Sequence, residues 1–297
     1  MLSGILIIDK PAGWTSHDVV AKLRGALKIK RIGHGGTLDP MATGVLPVFI
    51  GRATRAAEFC ENADKEYIAE LRLGITTDTQ DITGKVLCEN EVTVSSEDVK
   101  RILSGFTGIQ RQIPPMYSAV KKDGKKLYEL ARQGIEIPRE EREINISLLE
   151  LQEDSRGQGT DHSYTLRIVC SKGTYIRTLC FDIGAALGCG GTLASLQRTR
   201  AGAYHIDTAH KLDEVLAMVL SDSVNDILQP VDSIFSEFPS LYIDESEERK
   251  AKNGAVCHTQ KSTGDGVYKV YNRNDDFLLL GEVNDNKIKT IKSFFEV

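Results

Sequence analysis

The run Gly33–Val48, GHGGTLDPMATGVLPV, sets small turn-forming residues and one carboxylate directly ahead of an apolar strand. Gly35 and Gly36 can adopt positive φ and admit a close neighbour, while Pro40 keeps the residue before it out of the helical region. Asp39 is therefore expected on a rigid, exposed turn. Val45 to Ile50 reads as a buried strand, which anchors that turn to the interior of a sheet. Taken alone, an aspartate near glycine and proline is most often a turn or helix-capping residue.

A chain of 297 residues, 41% hydrophobic and 27% charged, is long enough for one large core and a small second domain. Cys60, Cys88, Cys170, Cys180, Cys189 and Cys257 include no C-x-x-C pair, which argues against a zinc site and a disulfide framework. They read as small buried hydrophobes. The amino terminus, MLSGILIIDK, fits neither a signal peptide nor a membrane span, so the expectation is a cytoplasmic protein without membrane contact.

A net charge of −5 and a pI near 5.8 favour, on their own, a metabolic enzyme over a nucleic-acid binder. The average hides a local excess: residues 1–60 carry eight Lys/Arg against four Asp/Glu. A second basic cluster, Lys121, Lys122, Lys125 and Lys126, lies near Tyr117 and Tyr128. Cations interleaved with aromatics hold phosphates while bases stack; a solvated lysine face is the competing reading.

Hydrophobic periodicity predicts a mixed α+β chain. Ile5 to Ile8 reads as a strand, and Ser16 as the cap of a helix carrying Val19, Val20, Leu23 and Leu27 on one side. Ala53 to Cys60, Ser96 to Leu103, Tyr128 to Arg132 and Thr174 to Leu187 read as helices, the last ended by Gly188. Tyr67 to Leu73, Ile144 to Leu151 and Ser163 to Ser171 read as strands, Asp78 to Gly84 as turns, and the proline-bearing Gln112 to Val120 as extended. A composition shift over Ser236 to Glu248 suggests a boundary between domains 1–238 and 239–297. The second is expected to be β-rich, with strands Val267 to Tyr271 and Phe277 to Val283 around a turn at Asn272 to Asp276.

Five blocks together resemble the TruB family of tRNA pseudouridine synthases. They are GILIIDKPAGWTSHDVV at Gly4, the Gly33–Val48 run, KEYIAELRLGITTDTQDITG at Lys65, QIPPMYSAVKKDGKKLYELARQG at Gln112 and CSKGTYIRTLCFDIGAALGCG at Cys170. Five matching blocks reverse the bland reading of Asp39. The resemblance implies a pseudouridine synthase fold, a mixed and mainly antiparallel sheet flanked by helices, with a small C-terminal PUA-like module. It implies isomerisation of uridine 55 in the tRNA T-loop, the base being detached from C1′, rotated and rejoined through C5. Asp39 would be the nucleophile. Arg177 would pair with it, Tyr67 would pack on the target base, and Tyr175 and Leu196 would line the pocket. His34 would assist base flipping, and Lys10 would stand near the site, supporting the fold or contacting RNA backbone.

No cofactor or metal is needed, because one glycosidic bond breaks and another forms at the same sugar with no redox step. Thr192 and Gln197 depart from the family pattern, where a histidine and an arginine occur. The expected partner is the T-arm of tRNA, with the protein acting as a monomer and without an obligate protein partner. Alternatives are a guide-RNA-dependent relative of the dyskerin type, a tRNA-folding protein and, from the acidic pI, a metabolic hydrolase.

Overall fold

The computed structural model describes residues 2–122, 124–152, 162–259 and 263–295. Asp123 of the fourth family block, and the last two residues of the expected C-terminal module, lie outside the described residues.

In chain order the principal elements are β1 (Gly4–Lys10), α1 (Ser16–Leu27), β2 (Ile32–His34), β3 (Thr43–Ile50), β4 (Lys65–Leu73), α2 (Ser96–Leu103) and β5 (Gly108–Gln112). There follow β6 (Arg142–Leu151), β7 (Ser163–Cys170), α3 (Ile176–Ala186), β8 (Gly191–Ala201) and α4 (Leu212–Leu220). A second sheet holds β9 (Gly266–Tyr271), β10 (Phe277–Asn284) and β11 (Lys287–Ser293).

The large sheet runs His210–Lys211, β1, β3, β8, β4, β7, β6, β5. Its pairings are antiparallel except β3 with β8 and β1 with His210–Lys211, so it is mixed and mainly antiparallel as expected. β4 and β7 alternate buried with half-buried residues, the period-two signature of a sheet whose faces differ. One face takes Leu71, Leu166 and Ile168 against Leu179 and Ile183 of α3 and Val99 and Leu103 of α2. At the other end, Leu6, Ile8, Leu46 and Val48 pack with Val19 and Leu23 of α1 and Val215 of α4.

β3 is the hinge of this architecture. Its first residues, Thr43 and Gly44, lie parallel to Gln197 and Arg198 of β8, while Val48 to Ile50 pair with β2 along the same strand. Between those two partners the chain of residues 35–42 leaves the sheet, and the Asp39 turn emerges there. Gly44 makes the crossing possible: its φ is +99°, and a Cβ at this position would stand 2.2 Å from the carbonyl oxygen of Arg198. No other residue type fits there without moving β8.

The second sheet orders as Ser240–Tyr242, β9, β10, β11, Cys257–His258. It is β-rich as expected, but it also carries a helix, Glu245–Lys252, capped by Asp244. Phe235 sits at its junction with the large sheet, 4.9 Å from Phe59, 6.0 Å from Phe277 and 5.8 Å from Phe294 between ring centroids. Phe235 and Phe294 are buried there with Leu280 and Phe49, so the two sheets share one apolar cluster.

Several local expectations are corrected. Thr15, not Ser16, caps α1: its hydroxyl accepts from the Asp18 amide while Asp18 reaches back. The predicted helix over Ala53 to Cys60 is a 3-10 turn, Gly51–Ala56, followed by a short α-helix, Ala57–Asn62. Within the expected extended stretch, residues 116–119 bend. Five of the six cysteines are buried, but Cys88 is exposed.

Candidate active site

The Asp39 turn is fastened from three sides. The Leu38 amide donates to Ser16 Oγ at 2.8 Å, and that hydroxyl donates back to the Leu38 carbonyl at 3.3 Å. The Gly13 amide donates to the Pro40 carbonyl at 2.8 Å, and the Ala42 amide closes the turn on the Asp39 carbonyl at 3.1 Å. Ser16 thus spends its hydroxyl on the turn, which is why the adjacent Thr15 caps the helix.

Lys10 supplies the third fastening. Its side chain is fully buried, and Nζ donates to the carbonyls of Trp14 at 2.6 Å, Pro11 at 2.9 Å and Pro40 at 3.3 Å. Of the two roles expected of Lys10, these bonds fit support of the fold around Pro11. Burial pulls its pKa down to about 8, against the opposing attraction of Asp39.

Arg177 lies in the first turn of α3, whose N-cap, Tyr175, has no capping side chain of its own. Gln112 of β5 takes that role: its Oε1 accepts from the Tyr175 amide at 2.8 Å and its Nε2 donates to the Tyr175 carbonyl at 3.0 Å. The helix start is thereby locked to the sheet edge. From it Arg177 Nε donates to Asp39 Oδ2 at 2.8 Å and Nη2 to Oδ1 at 3.3 Å, a two-pronged pair. The same fork donates to the Thr79 carbonyl at 2.9 Å and to the Tyr117 carbonyl at 2.8 Å, with Asp81 Oδ2 at 3.8 Å. One side chain, 5% exposed, therefore ties together four of the family-like blocks and leaves Asp39 38% exposed. A carboxylate presented to solvent on a rigid backbone, both its oxygens held by one guanidinium, has the geometry to attack an electrophilic carbon.

Tyr67 and Leu196 are buried in one apolar cluster with Leu38, which precedes Asp39, and Ile176, which precedes Arg177; Met41 packs against it. The interior side of the Asp39 turn is thus apolar. Burial raises the Tyr67 pKa, while the charge of Arg198 and its hydrogen bond to the phenol oppose that rise. His34 stands on β2, half-buried, its Nδ1 buried without a partner; burial, Arg198 and His17 all lower its pKa, so it is neutral near pH 7. The basic cluster folds as a small hairpin, Lys121 opposite Lys126 and Lys122 opposite Lys125. Lys126 and Arg132 stand 5.4 and 5.3 Å from the centre of the Tyr128 ring.

Sequence reading did not find Gln112, Thr79 or Asp81, whose contributions depend on long-range contacts. It also passed over Arg198, which is 1% exposed under the turn. Strand alternation held the clue: along β8, Leu196 and Arg198 are buried and Gln197 is exposed.

The mixed, mainly antiparallel sheet flanked by helices is that of the pseudouridine synthase fold, and solved structures agree on it. One from a Cbf5-Nop10-Gar1 complex matches with a TM-score of 0.74 and 25% identity, over 98% of this chain and 85% of that one. Another, titled as the archaeal box H/ACA sRNP Nop10-Cbf5 complex, has a TM-score of 0.71 at 24% identity, over 98% and 86% of the two chains. The chain belongs to the TruB family: residues 24–176 match its pseudouridylate synthase N-terminal domain, and residues 177–236 the tRNA pseudouridylate synthase B C-terminal domain. Curated relatives called tRNA pseudouridine synthase B include that of Alkaliphilus oremlandii, 46% identical over 85% of this chain and 82% of its own. That of Clostridium kluyveri is 40% identical over 99% and 100%, and that of Bacillus subtilis 41% over 87% and 84%.

Proposed function

We propose that this RNA-acting isomerase converts uridine 55 in the T-loop of tRNA to pseudouridine, with Asp39 as the nucleophile. The observation that carries the reading is the two-pronged Arg177–Asp39 pair, which aims an exposed carboxylate beside the apolar cluster of Leu38, Tyr67 and Leu196.

The target uridine is flipped from its stack at a cost of about a few kcal/mol. Its base enters against Tyr67 and Leu196, with Tyr175 at the rim, and neutral His34 fills the place the base leaves. Asp39 attacks C1′ as the bond to N1 breaks. The detached uracil anion turns, C5 bonds to C1′ as the Asp39–C1′ bond breaks and frees the carboxylate, the C5 proton departs to solvent, and N1 takes up a proton in its place. Substrate and product are isomers, so the balance calls for no oxidant, cofactor or nucleoside triphosphate. The Lys121–Lys126 hairpin and the cation-flanked Tyr128 suit the phosphates of the T-arm.

The protein acts as a cytoplasmic monomer without an obligate protein partner; no described helix is long and apolar enough to cross a membrane. Relatives at 40–46% identity carry the tRNA synthase name, whereas the likeness to the three-protein complex stands at 25%, which favours action on bare tRNA. Residues 1–238 make the catalytic domain and 239–297 the accessory module. Tritium release from a tRNA transcript labelled at uridine C5 tests the reading. Release by the wild type, lost in Asp39→Asn and with a transcript lacking uridine 55, supports it; release that survives either change overturns it.

A further inference from the structure

Arg198 is the largest side chain in the interior with almost no exposure, and the chemistry above does not use it. Among the described residues no carboxylate lies within ion-pair distance of its guanidinium. A buried cation without a counter-ion is costly and persists only where hydrogen bonds hold it in place. Here they go to the two ends of the Asp39 turn. Nε donates to the Val45 carbonyl at 2.7 Å and Nη2 to the Gly36 carbonyl at 3.1 Å.

Gly36 lies three residues before Asp39 and Val45 six after it, so one planar fork spans the neck of the turn. The fit is tight at Gly44 and an ordinary contact at Gly36. A Cβ on Gly36, where φ is +109°, would stand 3.5 Å from Arg198 Nη1, and the Arg198 backbone fills the space beside Gly44. On β8 and β4, Arg198 is the register partner of Tyr67, and its guanidinium stands near enough to the phenol for its charge to oppose the rise in the phenol's pKa. The same group therefore bonds the frame of the carboxylate and neighbours the Tyr67 ring, yet has no surface with which to touch RNA.

We propose that Arg198 is a positioning residue for the isomerisation: its buried fork sets the Asp39 turn and the Tyr67 ring at a fixed separation, so that C1′ and the base meet both at once. The inference rests on the reading of Asp39 as the nucleophile. A lysine at this position keeps the charge but offers a point donor, which cannot span the Gly36 and Val45 carbonyls as the fork does. Displacements near 1 Å cost about a hundredfold in rate.

The test is single-turnover conversion of a C5-tritiated tRNA transcript by the full-length protein, with tRNA binding and thermal melting measured alongside. For Arg198→Lys the account expects the rate constant to fall about a hundredfold. The tRNA Kd stays within about threefold, since the changed residue is buried beneath the site. A purely structural residue would instead lower the melting temperature and the active fraction, seen as reaction amplitude, at an unchanged rate constant. That result, or a rate within threefold of wild type, overturns the proposal. If Arg198→Lys does not melt cooperatively, Arg198→Gln replaces it with the same expectations; failure of both to fold makes the residue a folding determinant only and also overturns it. An inactive wild type is a different result, which refutes the proposed function itself.

Discussion

Replacing Arg177 by lysine removes the fork and keeps the charge, and the structure sets the scale of the loss. Arg177 makes four hydrogen bonds, two to Asp39 and one each to the carbonyls of Thr79 and Tyr117. A single ammonium on a shorter reach cannot serve partners on three chain segments. Both carbonyls are half-buried, so each orphaned acceptor costs about 1 kcal/mol, the low end for an unpaired group. The total of about 2 kcal/mol lowers the melting temperature by roughly 3 °C for a chain of 297 residues. The kinetic effect is larger. Asp39 is more than a third exposed and Arg177 grips both of its oxygens, so without the fork the carboxylate samples solvent-facing rotamers and kcat falls about a hundredfold. Binding of tRNA changes by less than about threefold, because phosphate contacts elsewhere supply most of the affinity. Single-turnover tritium release, filter binding and a thermal melt measure the three quantities. A kcat within threefold of wild type would refute the reasoning.

Lys10 titrates within reach of ordinary buffers. Burial holds its folded pKa at about 8 against 10.5 for a free lysine, so between those values the unfolded chain binds the extra proton and the unfolding free energy rises with pH, by at most about 3 kcal/mol. Because the buried cysteines and Lys65 also titrate differently in the two states, the Lys10 share is read as the urea-midpoint difference between wild type and Lys10→Met, which should grow in favour of the wild type from pH 7 to 10.5; parallel curves would exclude it. Gly44→Ala pushes a Cβ to 2.2 Å from the Arg198 carbonyl at a φ of +99° and should cost roughly 3 kcal/mol or more, read as a lowered urea midpoint or loss of soluble protein. A midpoint equal to wild type would mean that β3 and β8 part readily. Phe294→Ala opens the cluster shared by the two sheets and should cost about 3–5 kcal/mol, with the whole chain melting earlier as one unit. Separate transitions, with only the second sheet affected, would show the cluster to be no joint.

The elements that were legible in the sequence are those whose cause is local. The β4 alternation, the apolar β3 and the glycine-proline grammar around Asp39 each announce themselves within ten residues. The Arg177–Asp39 pair was legible only through the five motif blocks, since nothing in SKGTYIRT alone separates a buried arginine from a helix-surface one. Lys10 and Arg198 illustrate the limit from the other side. Each is a cation buried on backbone carbonyls, and hydrophobicity scores both as exposed. Strand alternation places Lys10 on the face of Ile8 and Arg198 on that of Leu196, so period two was the better guide. Helix Glu245–Lys252 has no apolar stripe, yet its Asp244 cap, acidic first turn and basic last turn were readable as helix-end signals. The join between the sheets was not legible, because Phe59, Phe235, Phe277 and Phe294 meet only after both have folded.

The most direct measurement is to locate the product base. A uridine-only tRNA transcript is incubated with the wild-type protein alone, treated with carbodiimide and read by primer extension, with Asp39→Asn in parallel. The account predicts one new stop, at uridine 55, absent with the variant. Stops at other uridines instead, or an undiminished stop with Asp39→Asn, would contradict it.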